Sequence, residues 1–406
     1  MATLSIRDLD LHGKRVFIRV DFNVPLSKDG SEILDDTRIR ETLPTIEFAL
    51  RAKARVILAA HLGRPKGQRV ESMSLRPVVD RLRMLLDADL GASRNVAFSP
   101  DAVGEIAEEL VSKLEYGQAL LLENLRFHAE EEKNDPEFAK QLARLADVFV
   151  NDAFGAAHRA HASTEGITHF VEQSAAGLLM EKELSYLGKA LEQPDKPFVA
   201  IIGGAKVSDK IEVIDNLLNK VDAILIGGGM AYTFLNAQGQ KTGKSLLEVD
   251  KIEVAAAALK KAEEMGVRFL LPVDHVLADK FAADAHTEMF DGSGDFPVDK
   301  MALDIGPKTI ELFTNEIREA RTVVWNGPMG VFEMPAFAKG TMAVAHAVAD
   351  NEDATTIVGG GDSVSAVHAA EVADRISHIS TGGGASLEFL EGKTLPGVAA
   401  LTQRSR

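Results

Sequence analysis

Short apolar runs alternate with longer helical patterns along the chain. Four such pairs are RVFIRV with 38–54, RVILAA with 75–87, FVAII with 207–220, and RTVVW with 336–349. Strands of a parallel sheet are buried on both faces and read as continuous apolar runs, whereas a helix repeats its apolar positions every three to four residues. The alternation therefore predicts an α/β fold, in which each parallel sheet lies between two layers of helices.

A helical pattern lies at the midpoint of the chain. Residues 174–191 (SAAGLLMEKELSYLGKAL) carry apolar side chains at three-to-four spacing, and the following EQPDKP contains two prolines that stop a helix. We predict one helix over 174–191 that joins a first domain at 1–173 to a second domain at 192–390. The length of 406 residues also favours two domains, because a single hydrophobic core stops growing beyond about 250–300 residues.

Three glycine triplets follow short apolar runs in the second half of the chain. Gly227–Gly229 follows DAILI, Gly359–Gly361 follows ATTIV, and Gly382–Gly384 follows ISHIS. Ligands of open α/β sheets bind beyond the carboxyl ends of the strands, and glycines there let an anion approach backbone N–H groups. A single turn of this kind is common in any βα unit, but three of them predict a nucleotide site.

Charged residues accompany these glycines. Lys206 and Lys210 lie four residues apart where a strand gives way to a helix, so one helical turn would place both ammonium groups on one face near nucleotide phosphates. Glu333, in WNGPMGVFE, can accept from ribose hydroxyls. Asp362 can supply the protein oxygen that a phosphate-bound Mg²⁺ needs, or it can serve only as a helix N-cap. TGGGAS at 381–386 opens another helix, whose amides could face a transferred group.

The first half of the chain offers side chains rather than backbone after its apolar runs. A lone arginine is usually a surface ion pair, but several arginines after successive strands predict a site for a small, multiply charged anion, because the guanidinium fork suits carboxylate and phosphate. Carboxylate and amide groups beside them can bond hydroxyls. The residues in question are Asp21, Asn23, Arg38, His61, Arg64, Arg126 and Arg159. Two different anion sites in one chain indicate that a group moves between them.

The composition excludes several classes of protein. A formal net charge of −16 argues against a general nucleic-acid or anionic-membrane surface, since those surfaces rely on broad basic patches. The absence of cysteine excludes disulfides, thiolate metal sites and a cysteine nucleophile. The start of the chain lacks an apolar core of signal-peptide length, and no stretch approaches the about 20 apolar residues of a membrane helix. We expect a soluble cytoplasmic protein.

Two further patterns are weak. GQKTGKS at 239–245 resembles a phosphate-binding P-loop, but it has three residues between its glycines where that motif needs four, and no apolar strand precedes it. His158 and His161 lie three residues apart without an acidic or thiol partner at metal-site spacing, so zinc is a poor interpretation. Neither a serine nucleophile elbow nor a dinucleotide fingerprint follows the first strand.

Together, these segments resemble the phosphoglycerate kinase family from one end of the chain to the other. The resemblance extends from Arg19 to Val398 and is carried by RVDFNVP, HLGRPKG, LLENLRFHAEEEKN, VNDAFGAAHRAHAST, GGAKVSDKI, GGGMAYTFL, LPVDHV, WNGPMGVFE, GGGDS and STGGGASLEFLEGKTLPGV. It implies two Rossmann-like domains joined by an interdomain helix and a hinge. It also implies that the C-terminal segment at 391–406 returns to the first domain.

The resemblance implies a Mg²⁺-dependent, reversible phosphoryl transfer from 1,3-bisphosphoglycerate to ADP, giving 3-phosphoglycerate and ATP, in glycolysis and gluconeogenesis. The acceptor in the reverse direction is a carboxyl group. The partners are then these small molecules, with neither nucleic acid nor membrane, and the protein is expected to be a monomer. Because the two ligands are expected on different domains, the hinge has to close during the reaction.

The resemblance also assigns roles to residues. The glycerate substrate is expected at Asp21, Asn23, Arg38, His61, Arg64, Arg126 and Arg159. The nucleotide is expected at Lys206, Lys210, Gly227, Gly228, Leu303, Asn326, Glu333, Gly360, Gly361, Asp362 and Ser363. The moving phosphoryl group is expected to be stabilised by Arg38, Lys206, Gly383 and Gly384. Asp362 matches the metal ligand, and Ser363 stands where many relatives carry threonine.

Two other classes of function remain open at this point. A dinucleotide-dependent dehydrogenase would need a glycine fingerprint after its first strand and an acidic ribose contact about 20 residues later, and the sequence shows neither. A nucleotide sensor without catalysis would keep the glycine turns but would have no use for four arginines in the first domain. An assay with 3-phosphoglycerate and Mg·ATP separates the three.

Overall fold

The computed structural model describes residues 3–90 and 96–403, with side-chain detail omitted at 87–90. The described residues form two compact units. The first runs to Leu184 and resumes at Thr394, and the second is Ser185–Lys393. The predicted first domain includes 1–2 and 91–95, and the predicted returning segment includes 404–406. Those residues lie outside the described part of the chain.

The first unit contains a parallel sheet of six described strands in the order β3-β4-β2-β1-β5-β6. These strands are β1 (Arg15–Arg19), β2 (Arg55–Ala59), β3 (Val96–Ser99), β4 (Ala119–Leu122), β5 (Val148–Asn151) and β6 (Ser174–Ala176). The helices among them are α1 (Thr37–Arg51), α2 (Arg76–Leu90), α3 (Glu105–Ser112), α4 (Ala129–Glu132), α5 (Pro136–Arg144) and α6 (Leu178–Glu192). The last of these continues into the second unit.

The central strand β1 shows why this sheet has helices on both faces. Val16 belongs to an apolar cluster with Ile39 of α1 and Leu82 of α2. The next residue, Phe17, faces the opposite side, where its ring lies 6.1 Å from that of Phe149. Since successive side chains of a strand alternate between faces, a strand buried on both needs apolar residues throughout. This confirms the parallel α/β architecture predicted from the continuous apolar runs.

The midpoint of the chain differs from the prediction of one helix over 174–191. Ser174–Ala176 pairs with β5 as strand β6, and the helix begins only at Leu178. The carboxylate Oδ1 of Asp152 accepts the amides of Leu179 at 2.9 Å and Met180 at 3.1 Å, which satisfies the helix start. The prediction was wrong for 174–177, because three small residues such as Ser174–Ala176 also suit an edge strand.

The second unit contains a parallel sheet of six described strands in the order β15-β14-β13-β7-β8-β9 and a small antiparallel sheet in the order β11-β10-β12. The strands are β7 (Phe198–Ile202), β8 (Ala223–Ile226), β9 (Arg268–Leu270), β10 (His275–Ala278), β11 (Thr287–Phe290), β12 (Met301–Ile305), β13 (Thr322–Asn326), β14 (Thr355–Gly359) and β15 (His378–Ile379). The antiparallel sheet was not predicted, because β11 is exposed along most of its length and its sequence shows no apolar run.

The helices of the second unit cover its parallel sheet. They are α7 (Ile211–Leu217), α8 (Ala231–Ala237), α9 (Ile252–Glu264), α10 (Pro307–Glu319), α11 (Lys339–Asp350), α12 (Gly361–Ala369) and α13 (Gly384–Leu390). Buried Trp325 of β13 shares an apolar cluster with Phe313 of α10, Val344 of α11 and Val367 of α12. A last helix, α14 (Pro396–Ala399), lies in the first unit, where Gly397 N donates to Ala157 O at 2.9 Å. No helix among 3–90 and 96–403 has the length and apolar content to span a membrane.

The predicted helical turn from Lys206 to Lys210 is absent. Lys206 has extended backbone, with φ of −128° and ψ of 137°, and a 3₁₀ turn covers Val207–Asp209 before α7 begins at Ile211. The prediction that one helical turn aligns the two ammonium groups was therefore wrong. Strand β7 ends at Ile202 and α7 begins only at Ile211, so Lys206 lies in the connection between them and not on the helix.

The first glycine triplet, Gly227–Gly229, supports close loop packing. Gly227 N donates to Ile202 O at 3.0 Å, and Gly228 N donates to Met329 O at 2.9 Å. A Cβ on Gly227 would lie 2.4 Å from the Met329 sulfur. The expectation that these two amides stay bare for an anion was wrong, because neighbouring loops already use them. Glycine is needed here so that backbones can approach one another.

The second and third triplets both open helices, which the sequence analysis predicted for the third. Gly360, with φ of 88°, is the N-cap of α12, and Gly383, with φ of 50°, is the N-cap of α13. A Cβ would meet no atom within 4 Å at Gly361 or Gly383. Asp362 is the second residue of α12 and not its N-cap, so the alternative capping role for this carboxylate was wrong.

Asp152 generates a prediction about pH and stability. Burial raises the pKa of this carboxyl to about 7 from 3.8. The folded state then binds this proton more tightly than the unfolded state does. Protonated Asp152 therefore makes its full contribution to the free energy of unfolding below about pH 4. That contribution, at most about 4 kcal/mol, is lost as the pH rises to about 7. We expect Asp152→Asn to raise the unfolding temperature relative to wild type more at pH 8 than at pH 5.

Thermal unfolding at the two pH values measures this difference. Asp80→Asn is the control, because Asp80 is an exposed carboxylate that pairs with Arg83 on α2. The control should keep the pH dependence of the wild type. An Asp152→Asn protein whose unfolding temperature changes with pH as much as the wild type does would contradict the interpretation.

Gly203 generates a second prediction, on loop packing. A Cβ at this position would lie 2.1 Å from the carbonyl oxygen of Pro328, which is backbone and cannot swing away. We expect Gly203→Ala to destabilise the protein by about 1–3 kcal/mol, as overpacking does. Gly188→Ala is the matched control, since Gly188 lies inside α6 with no atom near its Cβ position, and it should stabilise by about 0.5–1 kcal/mol. Denaturant unfolding measures both changes, and equal effects would refute the packing argument.

Candidate functional site

The polar residues predicted in the first unit do meet at the carboxyl ends of its strands. Asp21 follows β1 and accepts a hydrogen bond from Nη1 of Arg38 at 2.7 Å. Asp21 is buried, whereas the Arg38 side chain is 39% exposed, so the remaining guanidinium donors can reach a ligand. Helix α1 begins at Thr37, which places Arg38 at the edge of the sheet where these strands end.

Asn23 and Arg126 hold the turn after β2 from two sides. Asn23 Oδ1 accepts the amide of Gly63 at 2.9 Å, and Arg126 Nη1 donates to the carbonyl of Gly63 at 3.0 Å. Gly63 has φ of 62°, a conformation that favours glycine. The loops after β1, β2 and β4 are therefore tied together, which fixes the positions of the predicted site residues.

The predicted arginines differ in their burial. Arg126 is buried, and its Nε lies 3.5 Å from Glu132 Oε1 without hydrogen-bond geometry. Arg64 and Arg159 are exposed, and Arg64 forms no ion pair with any residue of the described chain. Burial is the largest cause of the lowered pKa of Arg126, and the positive charges of Arg159 and Arg64 lower it further. The guanidinium groups thus lie close enough to repel one another, as expected where an anion binds.

His61 lies in this cluster with a buried partner that the sequence analysis did not identify. Arg19, the last residue of β1, is fully buried, and its Nη2 lies 2.9 Å from His61 Nδ1. Arg19 Nε also donates to Ser163 Oγ at 2.9 Å, and Ser163 donates to Glu131. A charged residue in the apolar run RVFIRV was the available signal, since a buried charge needs partners.

Burial and repulsion act on the histidines of the site. Burial is the main cause that lowers the pKa of His61 well below its ordinary value, and the charges of Arg19 and Arg126 act in the same direction. Burial also lowers the pKa of His161 to about 4, again with a contribution from Arg126. Both rings are therefore neutral at physiological pH and add no further positive charge to the cluster.

The second unit contains a cavity of about 420 Å³ at the carboxyl ends of its parallel strands. Four of the predicted nucleotide residues line it, namely Gly228, Leu303, Glu333 and Asp362. The sequence analysis missed most of the wall, which includes Tyr232, Lys244, Leu246, Phe281, Met301 and Pro328. This mixture of apolar side chains, glycines and a few charges suits a flat heterocycle carrying phosphate groups.

Other predicted residues lie behind the cavity wall and hold its loops. Lys210 Nζ donates to Asn326 Oδ1, and Gly327 N donates to Ser363 Oγ at 2.6 Å. Ser363 is fully buried, so its hydroxyl ties the loop after β13 to α12. Burial lowers the pKa of Lys210, while the charges of Asp209 and Asp362 oppose that shift. These side chains shape the site through the loops they join.

The three groups predicted to stabilise the moving phosphoryl in this unit are exposed. Lys206, Gly383 and Gly384 are accessible, and within the described residues they are not part of the cavity wall. Gly384 is the first residue of α13, so its amide has no acceptor inside the helix. The exposed ammonium of Lys206 and the exposed amide of Gly384 are thus accessible to a ligand.

Asp362 meets the requirement for a phosphate-bound cation. Its carboxylate is exposed on the cavity wall, and no described residue donates a hydrogen bond to it. No group of three or more His, Cys, Asp or Glu side chains able to hold a metal exists in 3–90 and 96–403. A single free carboxylate fits Mg²⁺ that brings most of its ligands as phosphate oxygens and water, not a metal held by an all-protein cage.

The two weak patterns have different outcomes. The segment at 239–245 follows helix α8, not a strand, so it does not form a P-loop, but Lys244 reaches the cavity wall. Ser245 Oγ accepts the amide of Ala302 at 2.9 Å and anchors the segment beside β12. His158 and His161 belong to no candidate metal cluster of described residues.

Comparisons with known proteins give the family of this chain. The sequence model of the family described as phosphoglycerate kinase matches residues 6–393. Phosphoglycerate kinase of Acidobacterium capsulatum is 76% identical over 404 residues, and that of Koribacter versatilis is 67% identical over 404 residues, each covering 100% of both chains. The solved structure of phosphoglycerate kinase from Coxiella burnetii matches with a TM-score of 0.89 at 44% identity over 100% of both chains. The chain is thus a member of the phosphoglycerate kinase family.

Proposed function

We propose that this protein transfers a phosphoryl group reversibly between 1,3-bisphosphoglycerate and ADP, giving 3-phosphoglycerate and ATP, as a step of glycolysis and gluconeogenesis. The observation that supports the proposal is that one chain carries two chemically different clusters of groups suited to anions. The first unit gathers arginines, and the second offers a cavity with glycine loops and a free carboxylate. Membership of the phosphoglycerate kinase family supports the same reaction.

The first unit is the proposed site of the glycerate substrate. Arginine forks bind carboxylate and phosphate oxygens, while Asp21 and Asn23 can bond the glycerate hydroxyl. The residues proposed to bind it are Asp21, Asn23, Arg38, His61, Arg64, Arg126 and Arg159. The ion pair of Arg38 with Asp21 leaves donors of Arg38 free, so this arginine can contact the anion without leaving its buried partner.

The second unit is the proposed site of the nucleotide. The apolar wall around Leu303 suits the base, and Glu333 suits the ribose. The other residues proposed to bind or shape the site are Lys206, Lys210, Gly227, Gly228, Asn326, Gly360, Gly361, Asp362 and Ser363. Asp362 would hold Mg²⁺, which neutralises phosphate charge when bound.

Phosphoryl transfer needs in-line placement and charge neutralisation more than covalent help from the protein. Both attacking groups, a carboxylate and an ADP oxygen, are already ionised, so a general base is not required. We propose that Arg38, Lys206 and the amides of Gly383 and Gly384 stabilise the charge on the moving group. The reaction then requires a state in which the two bound ligands meet.

The expected setting of the protein follows from the same proposal. Its partners are the two phosphorylated glycerates and ADP or ATP, without nucleic acid or membrane. We expect it to act as a monomer in the cytoplasm. A chain without cysteine is compatible with a reducing compartment.

Activity assays test the proposed reaction. We expect ATP consumption in the presence of Mg²⁺ only when 3-phosphoglycerate is added, because a sensor would consume no ATP and a dehydrogenase would need a dinucleotide. Arg38→Ala should lower kcat by about 100- to 1000-fold, since it removes a charge-stabilising donor. Coupled spectrophotometric measurement of ADP formation gives both results.

Arg40→Ala is the control for that variant. Arg40 lies on the same helix, and it is exposed and paired with Asp36 at 2.9 Å. Its loss should leave kcat within about twofold of wild type, as for most surface substitutions. ATP consumption that is independent of 3-phosphoglycerate would contradict the function, and an unchanged kcat in Arg38→Ala would remove Arg38 from the catalytic group.

Asp362→Asn tests the metal role separately. We expect the Mg²⁺ concentration needed for half-maximal activity to rise by about tenfold or more. Mutation of residues that only support a metal's ligands already lowers metal affinity by about tenfold, and loss of a ligand should lower it at least as much. Asp353→Asn, an exposed carboxylate of the same unit, should keep the wild-type titration. Identical magnesium titrations for Asp362→Asn and the wild type would count against the metal role.

A further inference from the structure

A buried polar network lies behind the proposed glycerate site. It consists of Arg19 at the end of β1, His61 after β2, Glu131 in α4 and Ser163 after β5, and we call it the Arg19 network. Arg19, Glu131 and Ser163 are fully buried, and His61 is 7% exposed. Four separate segments of the first unit are therefore joined by side chains that are almost completely buried.

The donors and acceptors of the network can be assigned from its chemistry. Arginine donates hydrogen bonds and has no lone pair to accept one. Arg19 Nη2 lies 2.9 Å from His61 Nδ1, so Nδ1 has to be the acceptor and cannot carry a proton. The proton of neutral His61 then lies on Nε2. No described residue accepts a hydrogen bond from Nε2, which leaves this N–H for a ligand.

The rest of the network holds Arg19 in place. Its Nε donates to Ser163 Oγ at 2.9 Å, and its Nη1 donates to the carbonyl of Val20 at 2.5 Å. Ser163 donates to Glu131 twice, from Oγ at 2.5 Å and from its amide at 3.0 Å. Both carboxylate oxygens of Glu131 are thus acceptors, as in the ionised form. The negative charge of Glu131 offsets the positive charge of Arg19, and the hydroxyl of Ser163 lies between the two groups.

The groups around His61 keep its ring neutral. Arg19, Arg126, Arg38 and His161 are the charged or titratable groups that act on it, and each disfavours a positive imidazolium. Burial acts in the same direction. A neutral ring has two possible tautomers, and the contact with Arg19 selects one of them. This matters for binding, because only the Nε2–H form can donate from the free side of the ring.

We propose that Arg19 is a positioning residue that holds His61 as the Nε2–H tautomer, so that His61 donates a hydrogen bond to the anionic substrate of the first unit. The consequence for binding rests on the proposed function. The assignment of the tautomer does not, since it follows from the free protein alone. A neutral donor in this cluster adds a hydrogen bond to the anion without adding a further mutually repelling charge.

Nitrogen NMR of the histidine side chains tests the tautomer directly in the full-length wild-type protein. The two ring nitrogens of a neutral histidine have distinct shifts, and a His61→Gln spectrum identifies the resonances of His61. We expect Nε2 protonated and Nδ1 unprotonated across pH 6 to 8. A ring protonated on Nδ1, or on both nitrogens, overturns the proposal whatever the activity of the protein.

Substitutions of His61 test the role of the donor. The side-chain amide of glutamine can replace the Nε2–H donor, whereas the shorter asparagine places its amide near Nδ1. We expect His61→Asn to weaken 3-phosphoglycerate binding by about 10- to 100-fold, the loss of a hydrogen bond to a charged group, and His61→Gln to weaken it much less. Calorimetry on the free protein measures both. Equal losses would overturn the donor role.

Ser163→Ala tests whether the network acts through His61. Removal of the hydroxyl frees Arg19 Nε, so we expect mixed tautomers of His61 and several-fold weaker binding of 3-phosphoglycerate. In a His61→Gln background the same substitution should cost nothing further, because an amide has no tautomers. Ser99→Ala, at another buried serine of this unit, should change neither readout. If Ser163→Ala weakens 3-phosphoglycerate binding as much in the His61→Gln protein as in the wild type, the positioning role is overturned.

These measurements separate the two proposals. If 3-phosphoglycerate fails to bind the wild type while His61 shows the Nε2–H tautomer, the proposed function fails and the tautomer assignment stands. If the ligand binds and the tautomer is wrong, the inference fails and the function stands. Circular dichroism of each variant confirms that a loss of binding is not a loss of fold.

Discussion

Both sites of this protein depend on the geometry of the parallel sheet. Each strand ends at the same edge as its neighbours, so the loops that follow consecutive strands converge there. In the first unit this convergence brings Asp21, His61 and Arg126 together although they are far apart in the chain. In the second unit it brings the loops after β7, β8 and β13 to one cavity. The sheets themselves need only apolar residues, which leaves the loops free to carry chemistry.

The two units meet the problem of binding an anion in different ways. The first unit uses side-chain charge, and several cations then repel one another and lose hydration. Buried acidic partners offset these positive charges. Asp21 accepts a hydrogen bond from Arg38, and the negative charge of Glu131 offsets the positive charge of Arg19 across the hydroxyl of Ser163. The second unit uses loops that pack backbone against backbone, so glycines matter there for contact between loops as well as for access to a ligand.

Phosphoryl transfer suits this division. A multiply charged acceptor requires strong, directional donors, whereas a nucleotide requires an apolar wall for its base and amides for its phosphates. Neutral histidines in the first unit moderate the total charge, since His61 and His161 lose their protons under burial and the influence of the arginines. The neutral histidines can then donate hydrogen bonds without adding positive charge to the cluster of arginines.

The sequence by itself determined the α/β architecture, the strands that carry the site and the identity of most polar candidates, because apolar periodicity and strand-end residues are local properties. Tertiary structure alone decided what depends on contacts between distant segments. Ser174–Ala176 became a strand because β5 was there to pair with it, and the amides of Gly227 and Gly228 were taken up by neighbouring loops. Phe281 and Lys244 reached the cavity, and Arg19 met His61, through side-chain contacts that no spacing along the chain encodes.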